Sequence, residues 1–200
     1  MQTVRAAFIL TAFLLVTAIC IPYQEIVLRL RLKRRKSFPH RFHRFVAKLF
    51  GIRLKMVGTP VQDRGVLMAA NHTSWLDIVV FSAAARISFV ARADVKTWPF
   101  FATLARLQET VFVERTRRST TGAARDEIRE RLLAGDALVL FPEGTSSDGN
   151  QVLPFKSALI GAAEAQIGTD AGGQPIYVPV QPVSVAYVGL YGLPMGRENR

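Results

Sequence analysis

Cysteine is nearly absent from this chain of 200 residues, which contains only Cys20. A single thiol cannot form an intramolecular disulfide, and it cannot supply the cysteine cluster of a structural zinc site. The chain also lacks the G-x-S-x-G turn of serine hydrolases, the glycine-rich dinucleotide fingerprint, the P-loop and the common zinc motifs. We therefore expect no metal, no nucleotide cofactor and no acyl-enzyme formed on an elbow serine.

Acidic residues are also scarce: the chain has 15 Asp and Glu but 26 Lys and Arg, which gives a formal net charge of +11. Such a charge suits a nucleic acid, an anionic lipid surface or an acidic substrate. The densest basic run is RLRLKRRK, Arg29 to Lys36. No nucleic-acid-binding motif accompanies it, and aromatic residues are not interleaved as stacking platforms. We assign the charge to a membrane surface and expect no nucleic-acid partner.

An apolar stretch precedes the basic run. Residues 6–28 reach the roughly 20 residues that a bilayer core requires. A cleavable signal peptide would need small residues before a cleavage site, and a lipoprotein box ending at Cys20 is spoiled by Ile19. A membrane helix, spanning the bilayer or lying shallowly in its interface, remains. Because basic residues flank the cytoplasmic end of such helices, we expect the rest of the chain at the cytoplasmic face of the inner membrane.

Residues 41–54 show the apolar spacing of an amphipathic helix. His40 and His43 could share a face there, but no acidic or cysteine partner is near, so we expect a structural or interfacial role. Residues 1–50 are thus interpreted as a membrane-anchoring segment and residues 51–200 as one further domain. The strand signals close to Arg200 suggest that this domain is truncated at its C-terminus.

Beyond Gly51, short apolar runs alternate with longer mixed segments. The predicted strands are 66–70, 88–91, 111–113, 137–141 and 177–187, and the predicted helices are 77–85, 98–106, 120–133 and 157–166. Residues 169–175, TDAGGQP, have the composition of a surface loop. The alternation predicts an α/β domain with a mostly parallel central sheet flanked by helices.

The stretch NHTSWLD, residues 71–77, falls between a predicted strand and a predicted helix. Residues five apart lie about 140° apart on a helix, so His72 and Asp77 can meet only if His72 precedes the helix. Asp77 would then orient the imidazole and leave its other nitrogen free as a base, as in a serine-protease triad without the serine. An ordinary histidine, with a pKa near 6.5, suits general-base catalysis. The alternative is a polar turn that only caps the helix, and the spacing by itself favours that alternative.

Two further segments follow predicted strands. ALVLFPEGTSSDG, residues 137–149, runs from a buried strand into polar residues, and ligands of open α/β sheets bind at such strand ends. VFVERTRR places Arg115, Arg117 and Arg118 after another strand, where a guanidinium can hold a phosphate. An ordinary turn remains open for the first segment, and a solvated basic turn is favoured for Arg117 and Arg118.

Taken together, these segments resemble the glycerolipid acyltransferase family, and in particular the lysophosphatidic acid acyltransferases. The resemblance covers residues 60–190 in four ordered blocks: Asn71-His-Thr-Ser-Trp-Leu-Asp77, Val111-Phe-Val-Glu-Arg115, Phe141-Pro-Glu-Gly-Thr145 and Val178-Pro-Val-Gln-Pro-Val183. It implies that His72 and Asp77 are catalytic and that Arg115 binds the acceptor's phosphate. It further implies that the third block, with Glu143, Gly144, Thr145 and Ser146, contacts glycerol phosphate and that Pro182 lies near the acyl site.

The resemblance also implies the reaction. His72 would remove a proton from an acceptor hydroxyl, which would attack the thioester of acyl-CoA or acyl carrier protein, and no cofactor would be needed beyond this acyl donor. The acceptor implied is 1-acylglycerol-3-phosphate, giving phosphatidic acid in phospholipid biosynthesis; another lysolipid such as lyso-ornithine lipid, or a non-catalytic lipid-binding module, are alternatives. The chain departs from the family where Thr73, Glu109 and Ser146 stand in place of Arg or Gln, Gly, and Arg. The last departure removes a basic side chain beside the acceptor's phosphate, which leaves the implied reaction type intact and the identity of the acceptor open.

Overall fold

The computed structural model describes residues 2–114, 118–149, 151–190 and 193–194 of the chain. Five α-helices lie in this part of the chain: α1 (Gln2–Arg29), α2 (Ser37–Leu49), α3 (Leu76–Ala84), α4 (Pro99–Leu107) and α5 (Arg118–Leu133). The strands of the central sheet are β1 (Val66–Ala70), β2 (Ser88–Arg92), β3 (Val111–Val113), β4 (Ala137–Leu140) and β7 (Val180–Val183). Two short hairpins pair β5 (Gln166–Thr169) with β6 (Pro175–Tyr177) and β8 (Gly189–Leu190) with β9 (Leu193–Pro194).

The central sheet has the strand order β3-β2-β4-β1-β7, and each neighbouring pair is parallel. Side chains alternate between its two faces because successive residues of a strand point in opposite directions. Leu67 of β1 packs with α5 on one face, whereas Met68 and Ala70 pack with Phe81 of α3 on the other. The predicted α/β domain, a mostly parallel central sheet flanked by helices, is therefore confirmed.

The N-terminal helices pack onto this domain. α2 lies against α3 through Val46 and Ala47, which contact Val79 and Ala83. Residues 3–29 of α1 are long and apolar enough to cross a membrane, with a mean hydropathy of 2.4. One stripe of the helix nevertheless faces protein, and the Gln24 amide donates to the carbonyl of Leu107 at the end of α4 (3.0 Å).

The basic run is joined to the domain by ion pairs. Lys36 and Arg131 both contact the carboxylate of Asp136, which lies directly before β4 and is 5% exposed. Arg35 adds a contact to Glu109, with 3.6 Å between the nitrogen and the oxygen. A buried carboxylate needs charged partners to offset its loss of hydration, and Lys36 of the basic run is one such partner of Asp136. These contacts therefore hold the N-terminal segment against the domain.

Several predicted boundaries are wrong. The helix expected over residues 41–54 is α2, which begins at Ser37 and ends at Leu49 because Gly51 adopts a left-handed backbone (φ 74°). The helix expected over 157–166 is a 3₁₀ helix, Ser157–Ala163, and is followed by β5. The strand expected over 177–187 is interrupted at Pro179, so that Tyr177 ends one hairpin and only Val180–Val183 joins the main sheet. The predicted surface loop, 169–175, is an exposed turn between β5 and β6, whose end residues belong to those strands.

Candidate active site

Three segments meet at the carboxyl ends of the adjacent strands β4, β1 and β7. We call them the His72 loop (residues 71–75, after β1), the 141–149 loop (after β4) and the 184–188 segment (after β7). Ligands of open parallel sheets bind at this edge because loops from neighbouring strands converge there. The two predicted blocks at residues 71–77 and 141–145 are therefore brought side by side.

His72 and Asp77 form a bonded pair. The Nδ1 atom of His72 lies 2.7 Å from Oδ2 of Asp77. His72 belongs to the loop that precedes α3, and Asp77 lies in the first turn of that helix, as the spacing predicts. The Asp77 side chain is fully buried, whereas 22% of the His72 side chain is exposed. The pair thus combines a shielded carboxylate with an imidazole that solvent or substrate can reach.

Asp77 is held by hydrogen bonds to both of its carboxylate oxygens. Oδ2 also accepts from the backbone N–H groups of Thr73 (2.7 Å) and Ser74 (3.0 Å). Oδ1 accepts from the hydroxyls of Thr73 (2.9 Å) and Tyr187 (2.6 Å). Burial alone would raise the pKa of Asp77, but the hydrogen bonds from His72, Tyr187 and the two amides lower it below its ordinary value. Asp77 is therefore ionised at neutral pH.

The charge of Asp77 decides the tautomer of the neutral imidazole. An ionised carboxylate only accepts hydrogen bonds, so Nδ1 of His72 must carry the proton that it shares with Oδ2. Nε2 is then the unprotonated nitrogen with a lone pair. Among the described residues, none forms a hydrogen bond with Nε2. The imidazole can therefore accept a proton from a bound hydroxyl group.

The backbone and ring of His72 are fixed by the 141–149 loop. The ring stacks on Phe141, with the centroids 4.2 Å apart and the planes 18° from parallel. The backbone N–H of His72 donates to Oε1 of Glu143 (2.9 Å), and its carbonyl accepts from the backbone N–H of Ser147 (2.8 Å). Side-chain and backbone contacts together leave the imidazole little freedom to rotate.

Glu143 is buried and contacts the site through backbone hydrogen bonds. The side chain is 2% exposed, and its second oxygen, Oε2, accepts from the backbone N–H of Leu153 (3.0 Å). Its carboxylate therefore joins the His72 loop to the chain that follows the 141–149 loop. In this structure Glu143 supports the site, and its predicted contact with substrate stays a prediction.

The other predicted residues of the third block lie closer to the surface. Gly144 adopts a left-handed backbone (φ 76°) that residues other than glycine rarely tolerate, and it turns the chain sharply after Phe141. Thr145 and Ser146 are exposed, directly before the Ser147 that bonds to the His72 carbonyl. The two residues thus directly precede the point at which this loop bonds to the His72 loop, and their contact with substrate stays a prediction.

Pro182 and Arg115 are the two remaining predicted site residues. Pro182 is exposed on β7 and is paired with Ala69, which points away from the face shared by Met68, Ala70 and Phe141. Its role near the acyl site stays a prediction. Arg115 lies outside the described residues, although strand β3, which leads to it, forms as predicted at the far edge of the sheet.

Sequence reasoning missed Tyr187 as part of the site. It lies in the 184–188 segment, which the side chain of Asn71 holds beside the His72 loop through two hydrogen bonds to the backbone of Val185 (2.8 and 3.0 Å). Burial and the neighbouring Asp77 charge raise the pKa of Tyr187, so its hydroxyl stays protonated as a donor. No local pattern could reveal this contact, because 110 residues separate the two side chains.

Comparison with known proteins identifies the family of this chain. The sequence profile of the acyltransferase family matches residues 53–186. The chain is 48% identical over 198 residues to the lyso-ornithine lipid O-acyltransferase of Brucella abortus, covering 99% of this chain and 73% of that protein. It is 44% identical to the enzyme of the same name from Rhizobium meliloti (98% and 66% covered). It is 37% identical to the 1-acyl-sn-glycerol-3-phosphate acyltransferase of Neisseria gonorrhoeae (62% and 48% covered).

The fold has a solved counterpart. The crystal structure of the 1-acyl-sn-glycerophosphate acyltransferase from Thermotoga maritima matches with a TM-score of 0.61, covering 92% of this chain and 84% of that chain at 23% identity. At this level of identity the match concerns the fold. The family profile extends over the His72 and 141–149 loops, and the residues that it spans carry the bonded His72–Asp77 pair. This chain therefore belongs to the acyltransferase family.

Proposed function

We propose that this protein transfers a fatty acyl group from a thioester donor, acyl-CoA or acyl carrier protein, to the hydroxyl of lyso-ornithine lipid. The carrying observation is the buried, ionised Asp77 that holds Nδ1 of His72 and leaves Nε2 as the base. Nε2 takes the proton of the acceptor hydroxyl while the hydroxyl oxygen attacks the thioester carbonyl. The imidazolium, stabilised by Asp77, then gives the proton to the departing thiolate. The acyl donor is the only co-substrate that this sequence of steps needs.

Direct transfer is favoured over an acyl-enzyme. A nucleophilic serine or cysteine must lie within hydrogen-bond reach of its base. Cys20 lies in α1, and the hydroxyl of Ser147 is directed to backbone carbonyls, including that of His72 (3.4 Å). Within the described part of the chain, no hydroxyl or thiol bonds to Nε2 of His72. The acceptor's own hydroxyl is therefore the nucleophile.

The choice of acceptor rests on two supports. Two relatives at 48% and 44% identity are named lyso-ornithine lipid O-acyltransferases, whereas the glycerol-phosphate relative is 37% identical over a shorter stretch. The 141–149 loop also has no basic side chain; Ser146 stands where the resemblance would place Arg, and Asp148 follows. An ornithine headgroup is an amino acid without a phosphate, so this loop suits it better than a phosphate ester.

Phosphatidic acid formation from 1-acylglycerol-3-phosphate is the second candidate, because the 37% identical relative is named for that reaction and the family resemblance assigns Arg115 to the acceptor's phosphate. Strand β3, which ends two residues before Arg115 in the sequence, is separated from β1 by β2 and β4, so the two strands lie about 14 Å apart at the usual spacing. A guanidinium at the end of β3 would therefore meet an anionic headgroup that extends away from the reacting hydroxyl. The carboxylate of ornithine and a phosphate would both suit this position.

One assay separates these candidates. Purified full-length protein receives a labelled acyl donor with lyso-ornithine lipid or with 1-acylglycerol-3-phosphate, in matched detergent or vesicles. We expect kcat/KM for lyso-ornithine lipid to exceed that for 1-acylglycerol-3-phosphate by at least about tenfold, because one lost charged contact is worth about that much. The reverse order would replace the proposed acceptor by the phosphate ester. Transfer to neither lysolipid would contradict the proposal as a whole.

We further propose that α1 holds the enzyme in the membrane, with the domain on the cytoplasmic side. Most of the outer surface of α1 is apolar and exposed, as at Phe8, Leu15 and Ile19, and the basic residues 29–36 follow directly. Apolar side chains suit the acyl chains, and basic ones suit anionic headgroups at the cytoplasmic leaflet. The stripe that packs on α2 and α4 keeps the domain close to that surface.

Substitutions on the exposed face test this attachment better than deletion, because α1 also packs on the domain. Changing Leu15 and Ile19 together to Arg should move much of the protein from the membrane to the soluble fraction, since each charge costs about 2.5–3.5 kcal/mol at a helix centre. Val57→Arg, at an 89% exposed loop residue, is the matched control and should leave the distribution unchanged. Full membrane retention of the double variant, or complete extraction of the wild type by salt, would contradict a buried helix.

A further inference from the structure

The hydrogen bond to His72 is not enough by itself to fix the orientation of the Asp77 carboxylate. Its carboxylate can rotate about the bond to the β-carbon unless both oxygens are held. Oδ2 is held by the Thr73 and Ser74 amides, which belong to the same turn as Asp77 itself. Oδ1 is held by two hydroxyls, and one of them, that of Tyr187, comes from a different strand end 110 residues away.

We propose that Tyr187 is a positioning residue for acyl transfer. Its hydroxyl donates to Oδ1 of Asp77, which orients the carboxylate towards His72 and reduces the attraction of that carboxylate for the imidazolium proton. This inference rests on the proposed function, and it adds a residue just beyond the stretch matched by the family profile, residues 53–186. The contact is short, 2.6 Å between oxygens, and the carboxylate that it reaches is fully buried. A donor to an ionised carboxylate in such surroundings forms a strong hydrogen bond.

The surrounding structure is built to present this hydroxyl. Asn71, adjacent to His72, exchanges two hydrogen bonds with the backbone of Val185. Val183 and Val185 pack against the cluster that contains Phe141, on which His72 stacks. Tyr187, two residues after Val185, is thereby placed beside the His72 loop.

The hydroxyl also affects the proton on His72. Two acceptor sites on one carboxylate share its negative charge, so a donor on Oδ1 reduces the attraction of Oδ2 for the imidazolium proton. Glu143 is a further titratable group that bonds to the His72 loop, through the backbone N–H of His72, and Asp148 lies on the same loop as Glu143. Neither group is altered when the tyrosine hydroxyl alone is removed.

Tyr187→Phe removes that hydroxyl and keeps the ring. We expect kcat to fall about tenfold with little change in KM, since orientation is lost while substrate contacts remain. The acidic limb of the pH–rate profile should move to higher pH by about half a unit to one unit, because the relieved carboxylate holds the imidazolium proton more strongly. Tyr177→Phe, the same change at a 51% exposed tyrosine of β6, should leave rate and profile unchanged.

A measurement that needs no acceptor separates failure of this inference from failure of the proposed function. NMR of the full-length protein with carbon-13 at histidine Cε1 follows its three histidines through a pH titration. The His72 midpoint should rise in Tyr187→Phe, and those of His40 and His43 should not. An unchanged His72 midpoint overturns the inference, whatever happens to the rate. If the rate falls only together with the unfolding temperature and the midpoint stays fixed, Tyr187 is structural and the inference is likewise overturned.

Discussion

Replacing Asp77 by asparagine removes one charge and keeps the shape of the side chain. Two orientations of the new amide are possible. An amide nitrogen at the place of Oδ2 would face three donors, those of His72, Thr73 and Ser74, which is unfavourable. A nitrogen at the place of Oδ1 would face the hydroxyls of Thr73 and Tyr187, which can rotate and accept. The new side chain should therefore keep its amide oxygen towards His72.

The expected loss in rate follows from this geometry. The tautomer of His72 is retained, so the loss reflects only the missing charge that stabilised the imidazolium. A hydrogen bond to a charged group contributes about 1.5–3 kcal/mol, which corresponds to roughly 10–150-fold in kcat. This loss should be smaller than that of removing the base itself. The assay is transfer from a labelled acyl donor to lyso-ornithine lipid, with unfolding followed in parallel.

The matched control is Asp63→Asn, the same change at an exposed carboxylate that pairs with its neighbour Arg64. It should change neither the rate of transfer nor the stability. The pH dependence gives a second check. Because folding lowers the pKa of Asp77, its charge stabilises the fold above the ordinary aspartate pKa of about 3.9, and this contribution is lost as pH falls through the lowered value. The stability gap between wild type and Asp77→Asn should close in that range. A rate loss equal to that of His72→Ala, or no rate loss at all, would refute the reasoning.

Three further substitutions test other parts of the structure. Glu143→Gln should lower kcat/KM equally for donor and acceptor and reduce stability by about 1–3 kcal/mol, because an amide can accept only one of the two backbone N–H bonds; a selective rise in the acceptor's KM would instead show substrate contact. Arg115→Ala should lower kcat/KM for the acceptor roughly 10–150-fold and spare that for the donor; equal losses would contradict a headgroup contact. Gly65→Ala should destabilise the fold by about 1–3 kcal/mol in urea unfolding, because its β-carbon would lie 1.8 Å from the carbonyl oxygen of Leu132; unchanged stability would contradict this close approach.

Controls for these variants lie elsewhere in the chain. Gly122→Ala, in α5, has no atom within 4 Å of the new β-carbon and should stabilise the protein by up to about 1 kcal/mol. Arg118→Ala serves for Arg115 and should cost little if that side chain is solvated. Glu164→Gln, at a surface glutamate paired with Arg125, serves for Glu143 and should change neither rate nor stability much.

The layers of the fold follow from hydrophobic pattern alone. Strands β1 and β3 begin and end where their apolar runs do, and both belong to a parallel sheet covered by helices, β1 within it and β3 at its edge. The boundaries fail where long-range partners decide. The apolar run 177–187 is divided at Pro179 because Tyr177 pairs with β5 whereas Val180 pairs with β1, a choice that no local period encodes. The 157–166 region likewise depends on packing against α5.

The sequence predicts one part of the candidate site and not the other. The pairing of His72 with Asp77 follows from their spacing across a strand-to-helix turn, because the geometry is local. The buried position of Glu143 and the contribution of Tyr187 could not be predicted in the same way. Both depend on which strands lie beside β1, so that residues 71 and 110 positions distant in the chain bond to the 71–77 stretch. A motif shows which residue types are present, and the sheet order determines what they touch.

The most direct test of the catalytic assignment is the initial rate of acyl transfer by His72→Ala, measured on folded, membrane-bound protein with labelled donor and lyso-ornithine lipid. A general base contributes about 10²–10⁴-fold, so we expect transfer to fall at least 100-fold while the unfolding temperature and membrane attachment stay close to those of the wild type. Retention of more than about a tenth of the wild-type rate would contradict the assignment of His72 as the base.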